Sequence, residues 1–330
     1  MRCAVVGAGA WGTALASLLV RNGHQVALWA REEDVVASIN AAHENPRFLP
    51  GIALATELGA TADLLDAVDG AELITFAAPS HVLRGVVSAS APAVGRSAVV
   101  VVATKGIERE TLGTMTDVVE SELPSRAVVA LSGPSFAVEV AMAQPTAVVA
   151  ASASAPAAAL TQVGFSSPVF RVYTHDDVVG VEMGGALKNV MAVATGIAEG
   201  LGLGFNARAA LITRGLAEMT RLGVALGAQP ATFAGLAGLG DLVLTCTGAL
   251  SRNRSLGFEV GQGRTLEDVL AARESVAEGV INTTSAQALA EREGIDMPIV
   301  RAVHRILFEG QPARTAIGEL MTRELRAETD

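Results

Sequence analysis

The chain has 330 residues, of which 50% are hydrophobic and 18% are charged. This composition excludes a disordered protein, and the length allows two domains with separate cores. The formal net charge of −10 and the pI near 5.1 argue against nucleic acid or an anionic membrane as a main partner, so any anionic ligand has to be bound by a local basic cluster.

Cysteine and histidine are scarce. The two cysteines, Cys3 and Cys246, are too few for a disulfide framework or a zinc site, and the five histidines show no metal-ligand spacing. The uncharged stretch 3–20 has the composition of a signal-peptide core or a short membrane span, but its regular glycines and polar Trp11-Gly12-Thr13 step argue against both. We therefore expect a soluble, cytoplasmic protein without a metal site and without membrane insertion.

The first half of the chain alternates short valine-rich runs with helical patterns. Such runs are typical of strands buried on both faces of a parallel sheet. The predicted strands are residues 3–7, 25–29, 72–77, 98–103, 127–131 and 147–151. A helical pattern over 12–22, stopped by Gly23, connects the first two strands and predicts a βαβ unit. The Ala/Ser-rich segment 150–160 is predicted to end a strand and begin a helix.

The first predicted strand runs directly into a glycine-rich turn. The segment VVGAGAWG spaces its glycines as Gly7-x-Gly9-x-x-Gly12, between a strand and the opening of a helix. Glycines at these places allow a tight turn, close approach of the backbone to a pyrophosphate, and close helix–strand packing. Because strand, helix and second strand all fall where the pattern requires them, the segment predicts dinucleotide binding.

The residues after the second predicted strand do not separate NAD from NADP. Arg31 suits the 2′-phosphate of NADP, whereas an acidic residue such as Glu32 or Glu33 suits the ribose 2′-hydroxyl of NAD. A solvated helix start is the alternative interpretation of this segment. We expect either cofactor to be usable, with a modest preference for NADPH.

The second half of the chain is dominated by helical periodicity. From about Asp177 the valine runs thin out, and no strand pattern competes. The predicted helices are residues 209–226, 266–273, 284–292, 299–308 and 317–324. The sequence therefore predicts an α/β protein with an N-terminal Rossmann-type doubly wound sheet, residues 1–176, followed by a mostly α-helical C-terminal domain, residues 177–330.

Lysine is almost absent from the chain. Of the 24 basic residues 22 are arginines, and the only lysines are Lys105 and Lys188. A buried lysine can lose its proton near neutral pH, whereas guanidinium stays charged, so the two lysines are candidates for chemistry. Lys188 stands in the predicted helix VEMGGALKNVMAV, where its side chain lies over Gly184 and Gly185 and leaves room for a ligand. The alternative is a lysine that extends from an apolar helix to solvent.

Two more polar residues are candidates for the same site. Lys105, in VVVATKG, follows the end of a predicted strand, where ligands bind in open α/β sheets, although a plain loop cation fits too. Asp241, in GLGDLVLTC, is suited to orient a lysine or a substrate hydroxyl, and equally to cap a helix.

The segment SRNRS supplies the basic cluster that an acidic chain needs for an anionic ligand. Arg252 and Arg254 flank Asn253, and Ser251 adds a hydroxyl, a set able to bind a phosphate through charge-assisted hydrogen bonds. The spacing alone fits a solvated loop equally well.

Motifs along almost the whole chain resemble those of the bacterial-type NAD(P)-dependent glycerol-3-phosphate dehydrogenases. They are, in order, GAGAWGTALA, ATKGIE, LSGPSFAVEVA, PTAVVA, VEMGGALKNVMAVATGI, NARAALITRGLAEM, FAGLAGLGDLVLTCTG, SRNRSLG, AEGVINT and MPI. The resemblance implies interconversion of sn-glycerol 3-phosphate and dihydroxyacetone phosphate by hydride transfer with NAD or NADP. It also implies a supply of glycerol 3-phosphate for phospholipid synthesis, and a homodimer.

The resemblance also implies roles for individual positions. Lys188 is the implied proton acceptor, with Lys105 and Asp241 beside it as catalytic residues. The implied substrate-binding residues are Lys105, Gly133, Ser135, Lys188, Asp241, Ser251, Arg252 and Asn253. The implied cofactor-binding residues are Gly7, Gly9, Ala10, Trp11, Gly12, Arg31, Lys105, Ala137, Arg252, Val276 and Glu278. Ala10 departs from the family, which commonly has serine there, so a hydroxyl contact to the pyrophosphate would be lost.

Two rival functions share these features. A β-hydroxyacid or 2-keto-acid reductase would have the same architecture and a lysine on the same helix, and SRNRS could bind its carboxylate substrate. A non-catalytic NAD(P)H sensor would bind the cofactor without oxidising it, but the presence of both lysines, Asp241 and Arg252 argues against degenerated catalytic positions.

Overall fold

Ten strands and sixteen α-helices form the part of the chain that the computed structural model describes, residues 1–273, 278–325 and 327–328. The strands are β1 Arg2–Val6, β2 Gln25–Trp29, β3 Glu44–Asn45, β4 Leu49–Ala53, β5 Gly59–Thr61, β6 Leu73–Phe76, β7 Val99–Val102, β8 Ala127–Ser132, β9 Thr146–Ala151 and β10 Phe170–His175. The helices of the sheet region are α1 Ala10–Arg21, α2 Glu33–Ala42, α3 Leu64–Val68, α4 Ser80–Ser90, α5 Met115–Glu122, α6 Ala137–Ala141 and α7 Ala155–Phe165. The remaining helices are α8 Val178–Gly200, α9 Phe205–Ala225, α10 Pro230–Phe233, α11 Asp241–Thr247, α12 Arg252–Gly261, α13 Leu266–Ala271, α14 Glu278–Glu293, α15 Pro298–Phe308 and α16 Ala313–Met321.

Eight of the strands form one sheet in the order β10-β9-β8-β7-β6-β1-β2-β5. The strands from β5 to β8 are parallel, and all six strands predicted from valine runs are present. The expectation of parallel pairing is wrong on one side of residues 147–151, because β9 pairs antiparallel with β8, although it pairs parallel with β10. A valine run reports burial on both faces, whereas strand direction is set by the connecting segment. The edge strand β10 was not predicted, because its buried positions alternate with exposed ones.

The order of strands in the sheet reverses at β1, so that successive strands are added first on one side of β1 and then on the other. Strand β2 lies on one side of β1 and β6 on the other, and ligands of open α/β sheets bind outside the carboxyl ends of the strands at such a point. The segments that leave those ends are the glycine-rich turn after β1, Ser80 after β6, Lys105 after β7 and Gly133 after β8. The topology therefore gathers three of the sequence-selected segments at one edge, together with Ser80.

Helix α8 is the centre of the helical half. It begins at Val178 because the Asp177 carboxylate accepts the N–H of Gly180 at 2.8 Å and caps the helix. Every residue from Gly180 to Ala198 is buried. The predicted helices are confirmed in α9, α13, α14, α15 and α16, with ends shifted by several residues, and so is the strand-to-helix change at 150–160, since β9 ends at Ala151 and α7 begins at Ala155.

One segment of the described chain, Pro230–Thr247, is long and apolar enough to cross a membrane by length and composition. It consists of α10, a π-helical turn and α11, and 44% of it is buried inside the protein. Buried core helices pass the same test, so the segment is weak evidence for a membrane span.

Helices α8 and α12 cross with their backbones in direct contact. Each carries two glycines four residues apart, Gly196 and Gly200 in α8 and Gly257 and Gly261 in α12. A Cβ atom built on Gly196 or on Gly257 would lie 2.1 Å from a backbone oxygen of the other helix. Only glycine allows this approach, which holds the first turn of α12 beside the middle of α8.

Alanine at either crossing glycine is expected to destabilise the protein. In Gly196→Ala and Gly257→Ala the helices have to move apart, and we expect the free energy of unfolding to fall by about 3 kcal/mol. Gly85→Ala is the matched control, since Gly85 is inside α4 with no atom within 4 Å of an added Cβ. It should raise stability by about 1 kcal/mol through helix propensity. Urea unfolding measures all three, and equal stability of Gly196→Ala and wild type would contradict the packing argument.

Candidate active site

One carboxylate joins the two lysines of the chain. Asp241 Oδ1 accepts a hydrogen bond from Lys188 Nζ at 2.6 Å, and its Oδ2 accepts one from Lys105 Nζ at 2.6 Å. Lys188 Nζ also donates to Thr245 Oγ1 at 2.9 Å, and Lys105 Nζ donates to the Gly133 carbonyl oxygen at 3.1 Å. Asp241 is 1% exposed and Lys188 8% exposed, so the cluster is largely withdrawn from water.

The three charged side chains come from separate parts of the chain. Lys188 lies in the middle of α8, and Lys105 follows the carboxyl end of β7. Asp241 is the first residue of α11 and follows a single π-helical turn, Leu236–Gly240, a feature often found at functional sites. The N-cap of α11 is Gly240, so the Asp241 carboxylate binds the lysines instead of capping the helix.

Gly184 and Gly185 allow these parts to converge on α8. A Cβ on Gly184 would lie 2.5 Å from a carbonyl oxygen of the π-helical turn, and one on Gly185 would lie 2.7 Å from Ser132 Oγ and 3.4 Å from the stem of Lys105. The expectation that these glycines leave room for a ligand is therefore wrong, because protein atoms fill the space. The glycines instead bring Lys105 and the turn before Asp241 against the helix.

Burial and charge oppose each other within the cluster. Burial lowers the pKa of Lys188 from 10.5 to about 8; the Lys105 charge also lowers it, whereas the Asp241 carboxylate raises it. Burial on its own would raise the pKa of Asp241, but the two ammonium groups outweigh it and hold this pKa below its usual value. Lys188 can therefore exist in both protonation states near neutral pH beside a carboxylate that stays ionised.

The start of α12 lies beside the lysine helix. Ser251 is the N-cap, and its Oγ accepts the backbone N–H of Arg254 at 3.2 Å. Asn253 Nδ2 donates to the Oδ1 of Asn189, the residue that follows the helix lysine, at 2.9 Å. Arg252 is in the first turn with an exposed side chain. Asn253 thus contacts the residue next to Lys188, and Ser251 and Arg252 precede it at the same helix end.

Arg254 does not join this group. Its Nη1 pairs with Glu199 Oε2 at 2.6 Å and its Nε donates to the Gly248 carbonyl oxygen at 3.3 Å. The predicted phosphate cluster with two arginines is wrong in this respect. Residues two positions apart on a helix point in different directions, so Arg252 and Arg254 cannot share a face.

The loop after β8 contributes backbone to the site. Gly133 has φ +143°, and a Cβ there would lie 2.9 Å from Val148 Cα, so glycine is required. Its carbonyl oxygen accepts Ser135 Oγ at 3.0 Å as well as the amine of Lys105. Ala137 begins the short helix α6 just beyond this loop.

The glycine-rich turn has the geometry of an anion cradle. Gly7 has φ +114°, and a Cβ on Gly12 would lie 1.8 Å from the Gly7 carbonyl oxygen, whereas Gly9 has no atom within 4 Å of an added Cβ. Gly9 is the N-cap of α1 and gives it no side-chain cap, and Ala10 opens the helix. The Trp11 Nε1 donor is buried and, within the described part of the chain, has no hydrogen-bond partner. An uncapped helix N-terminus facing open space fits a pyrophosphate.

The residues that bear on cofactor choice bind each other. Arg31 donates to Glu32 Oε1 from Nε at 3.2 Å and from Nη2 at 2.8 Å, and the Arg31 side chain is 78% exposed. Both the cation suited to NADP and the carboxylate suited to NAD are therefore present at the end of β2, the cation exposed and the carboxylate half-buried.

Glu278 connects the helical half to the sheet edge. Its carboxylate accepts the N–H of Ser80 at 3.1 Å and the Ser80 hydroxyl at 2.6 Å, at the start of α4. Burial raises the pKa of Glu278. Val276, the other residue singled out in this segment, lies outside the described residues.

Two residues of the site were missed in the sequence. Thr245 holds Lys188, and its spacing of four residues after Asp241 on a helix was the available signal. Glu182 is 8% exposed, accepts the N–H of Thr116 at 3.1 Å and lines a small cavity with Lys105. Burial raises its pKa to about 7. A lone carboxylate in an apolar helix was the signal for this residue.

The sulfur and histidine side chains do not gather into a site. In residues 1–273, 278–325 and 327–328 no group of three or more His, Cys, Asp and Glu residues is placed to hold a metal ion. Cys3 and Cys246 are buried and unbonded.

Comparison with known proteins gives matches along nearly the whole chain. Family models described as the N-terminus and the C-terminus of NAD-dependent glycerol-3-phosphate dehydrogenase match residues 2–158 and 177–318. A protein named glycerol-3-phosphate dehydrogenase, NAD(P)+, from Geobacter sulfurreducens is 56% identical over 99% of this chain and 98% of its own length; one of the same name from Geobacter sp. strain M21 is 54% identical over the same shares. The crystal structure of glycerol-3-phosphate dehydrogenase from Coxiella burnetii is 42% identical, with a TM-score of 0.94 over 98% of this chain and 99% of that one.

The pKa of Lys188 is expected to respond in opposite directions to its two charged neighbours. Lys105→Met removes a cation and should raise this pKa above about 8, whereas Asp241→Asn removes an anion and should lower it. Lysine-selective 13C labelling of the wild type gives two ε-carbon signals to follow against pH, and Lys105→Met leaves one, which assigns Lys188. A Lys188 signal titrating at its ordinary value of 10.5 in the wild type would contradict the buried cluster.

Proposed function

The chain belongs to the NAD-dependent glycerol-3-phosphate dehydrogenase family, and we propose that its cluster of Lys188, Asp241 and Lys105 carries out the proton transfer of that reaction. The enzyme interconverts sn-glycerol 3-phosphate and dihydroxyacetone phosphate with NAD or NADP. The observation that carries the proposal is the buried Lys188 amine, held by Asp241 and Thr245 with a pKa of about 8.

The hydrogen bonds of Lys188 leave one position of its nitrogen for the substrate. Two N–H groups are taken by Asp241 and Thr245, and Thr245 Oγ1 itself donates to the Asp241 carbonyl oxygen at 2.7 Å, so it accepts from the amine. The fourth tetrahedral position then bears either a proton or the lone pair. In ketone reduction it gives its proton to the C2 oxygen, and in alcohol oxidation it takes the C2 hydroxyl proton. The bound nicotinamide supplies or accepts the hydride.

Lys105 and Asp241 set the electrostatics of this exchange. Lys105 keeps one N–H after its bonds to Asp241 and Gly133, and we assign that donor to the substrate. Its charge lowers the pKa of Lys188 and favours a partly neutral amine. Asp241 keeps both nitrogens in place and prevents the buried Lys188 cation and the half-buried Lys105 cation from facing each other unpaired.

The phosphate of the substrate is assigned to the start of α12 and the loop after β8. Ser251 and Arg252 stand at the helix N-terminus, whose N–H groups and dipole favour an anion, and Asn253 is fixed by Asn189. Ser135 is assigned a contact with the same ligand from the β8 side.

The cofactor is assigned to the glycine-rich turn and its surroundings. Gly9, Ala10 and Trp11 would hold the pyrophosphate region, and the exposed Arg31 would hold the adenosine end. The remaining residues assigned to the cofactor are Gly7, Gly12, Lys105, Ala137, Arg252, Val276 and Glu278. The presence of the exposed Arg31 beside Glu32 supports use of both cofactors, with a modest preference for NADPH.

Four wider features are also proposed. The reaction would supply glycerol 3-phosphate for phospholipid synthesis, in keeping with the family name. A homodimer rests on family likeness, and the 81% exposed Phe205 provides apolar surface for it. The net charge of −10 and the unbonded cysteines support a cytoplasmic location. A domain boundary between residues 176 and 177 is supported by the start of α8 and of the second family match.

Oxidation of NADPH and of NADH, each with dihydroxyacetone phosphate, tests the function directly. We expect turnover with both cofactors and at most a trace of activity with 2-keto acids, because a carboxylate substrate lacks the phosphate that the start of α12 is assigned to bind. Higher activity with a 2-keto acid would favour the carboxylate-reductase alternative, and cofactor binding without oxidation would favour the sensor.

Arginine at position 188 should abolish most turnover and keep cofactor binding. Lys188→Arg retains a cation but cannot exchange a proton near neutral pH, so we expect kcat to fall by a factor of roughly 10²–10⁴. Fluorescence of Trp11 and Trp29 reports NADPH binding by the variant. Near-normal turnover of the variant would contradict the assignment.

The rate of the wild-type enzyme should depend on pH in opposite ways for the two directions of the reaction. Oxidation of glycerol 3-phosphate should increase as pH rises through about 8, where Lys188 becomes neutral, and reduction should decrease over the same range.

A further inference from the structure

A buried amide lies directly beneath the glycine-rich turn. Asn45, at the end of β3, is 0% exposed, and its Nδ2 donates to the Ala8 carbonyl oxygen at 2.9 Å and to Thr13 Oγ1 at 2.8 Å. Thr13 Oγ1 in turn donates to the same carbonyl oxygen at 3.1 Å. Asn45 Oδ1 accepts the N–H of Phe48 at 3.2 Å, which fixes the orientation of the amide.

These bonds determine where the neighbouring N–H points. The peptide between Ala8 and Gly9 is planar and trans, so its C=O and N–H point in opposite directions. The carbonyl oxygen is held inward by Asn45 and Thr13, and the Gly9 N–H is therefore directed outward. A Cβ added to Gly9 would meet no atom within 4 Å, so the surface of the turn is open at this residue.

The turn needs such a restraint because glycine permits the opposite orientation. Gly9 has φ −63° and ψ 177° here, and a rotated peptide would bring its φ to positive values, which glycine adopts at no steric cost. The rotated peptide would present a carbonyl oxygen to the pyrophosphate, and two groups of like charge would then face each other. The glycine that opens space for the ligand therefore does not by itself fix the direction of its own N–H.

We propose that Asn45 is a positioning residue for the cofactor, which locks the Ala8–Gly9 peptide so that the Gly9 N–H faces the pyrophosphate. The β3–β4 hairpin holds Asn45 in place, and Thr13 is the second donor to the Ala8 carbonyl oxygen. The proposal rests on the placement of the cofactor at this turn, and it assigns to the hairpin a role in cofactor affinity, not in the proton transfer.

The direct test is the affinity of Asn45→Leu, which keeps the shape of the side chain and loses both donors. We expect the Kd and the KM for NADPH to rise about 10-fold to 100-fold, as loss of two buried hydrogen bonds implies. The KM for dihydroxyacetone phosphate and kcat at saturating NADPH should stay within about threefold of wild type. Thr13→Val should give a smaller increase, and the double variant should not be additive.

Asn40→Ala is the matched control. Asn40 in α2 also binds backbone with both ends of its amide, donating to the Ala60 carbonyl oxygen at 2.9 Å and accepting the Ala60 N–H at 2.8 Å, but these bonds lead to β5 and not to the glycine-rich turn. The variant should keep the wild-type affinity for NADPH. Equal losses of affinity in Asn40→Ala and Asn45→Leu would mean a general loss of structure and would overturn the proposal.

Fragments of the cofactor separate this role from the proposed function. ADP-ribose contains the pyrophosphate and AMP lacks it, so Asn45→Leu should weaken ADP-ribose binding as much as NADPH binding and leave AMP binding unchanged. Equal weakening of both fragments would overturn the proposal. Fluorescence binding requires no turnover, so a wild type that binds NADPH tightly yet fails to reduce dihydroxyacetone phosphate would refute the activity and leave this test intact.

Discussion

The site depends on one buried carboxylate that binds two amines, the buried one of Lys188 and the half-buried one of Lys105. Without Asp241 these two cations would face each other unpaired, and burial disfavours the charged form of Lys188. With both amines protonated the trio carries a single positive charge, which suits an anionic substrate in a chain whose net charge is −10. Loss of one proton from Lys188 makes the trio neutral, so the proposed proton transfer would switch the charge that faces the substrate.

Close backbone packing makes this cluster possible. Gly184 and Gly185 let the π-helical turn and the Lys105 stem touch α8, and the crossing of α8 with α12 brings Ser251 near the same helix. At each contact a glycine without a side chain lets the neighbouring part of the chain touch the helix backbone. The distances between the charged groups are therefore set by the positions of the helices and not by flexible side chains. A site built this way tolerates little change in helix position, since the hydrogen bonds of the cluster are 2.6 to 2.9 Å long on the Lys188 side.

Local sequence patterns predicted the strands and helices better than they predicted how these elements pair and pack. Six valine runs, the helical patterns of both halves and the glycine turn were visible in the sequence because each depends on burial or on backbone freedom within a few residues. The antiparallel direction of β9 and the diversion of Arg254 to Glu199 were not, because both are decided by partners distant in the chain. The scarcity of lysine selected Lys105 and Lys188 correctly as neighbours, but not the carboxylate geometry between them.

The Lys188 cluster is held by charged groups, whereas the glycine-rich turn is held by a neutral amide. The proposed proton transfer needs charged groups at the Lys188 end of the site, and the opposite charges there offset the cost of one another's burial. Beneath the glycine-rich turn a cation would also bind the Ala8 carbonyl oxygen, but it would attract the pyrophosphate to itself and compete with the helix N-terminus. The neutral amide of Asn45 donates two hydrogen bonds at a lower desolvation cost than an ion. Because it carries no charge, it does not compete with the N-terminus of α1 for the anionic pyrophosphate.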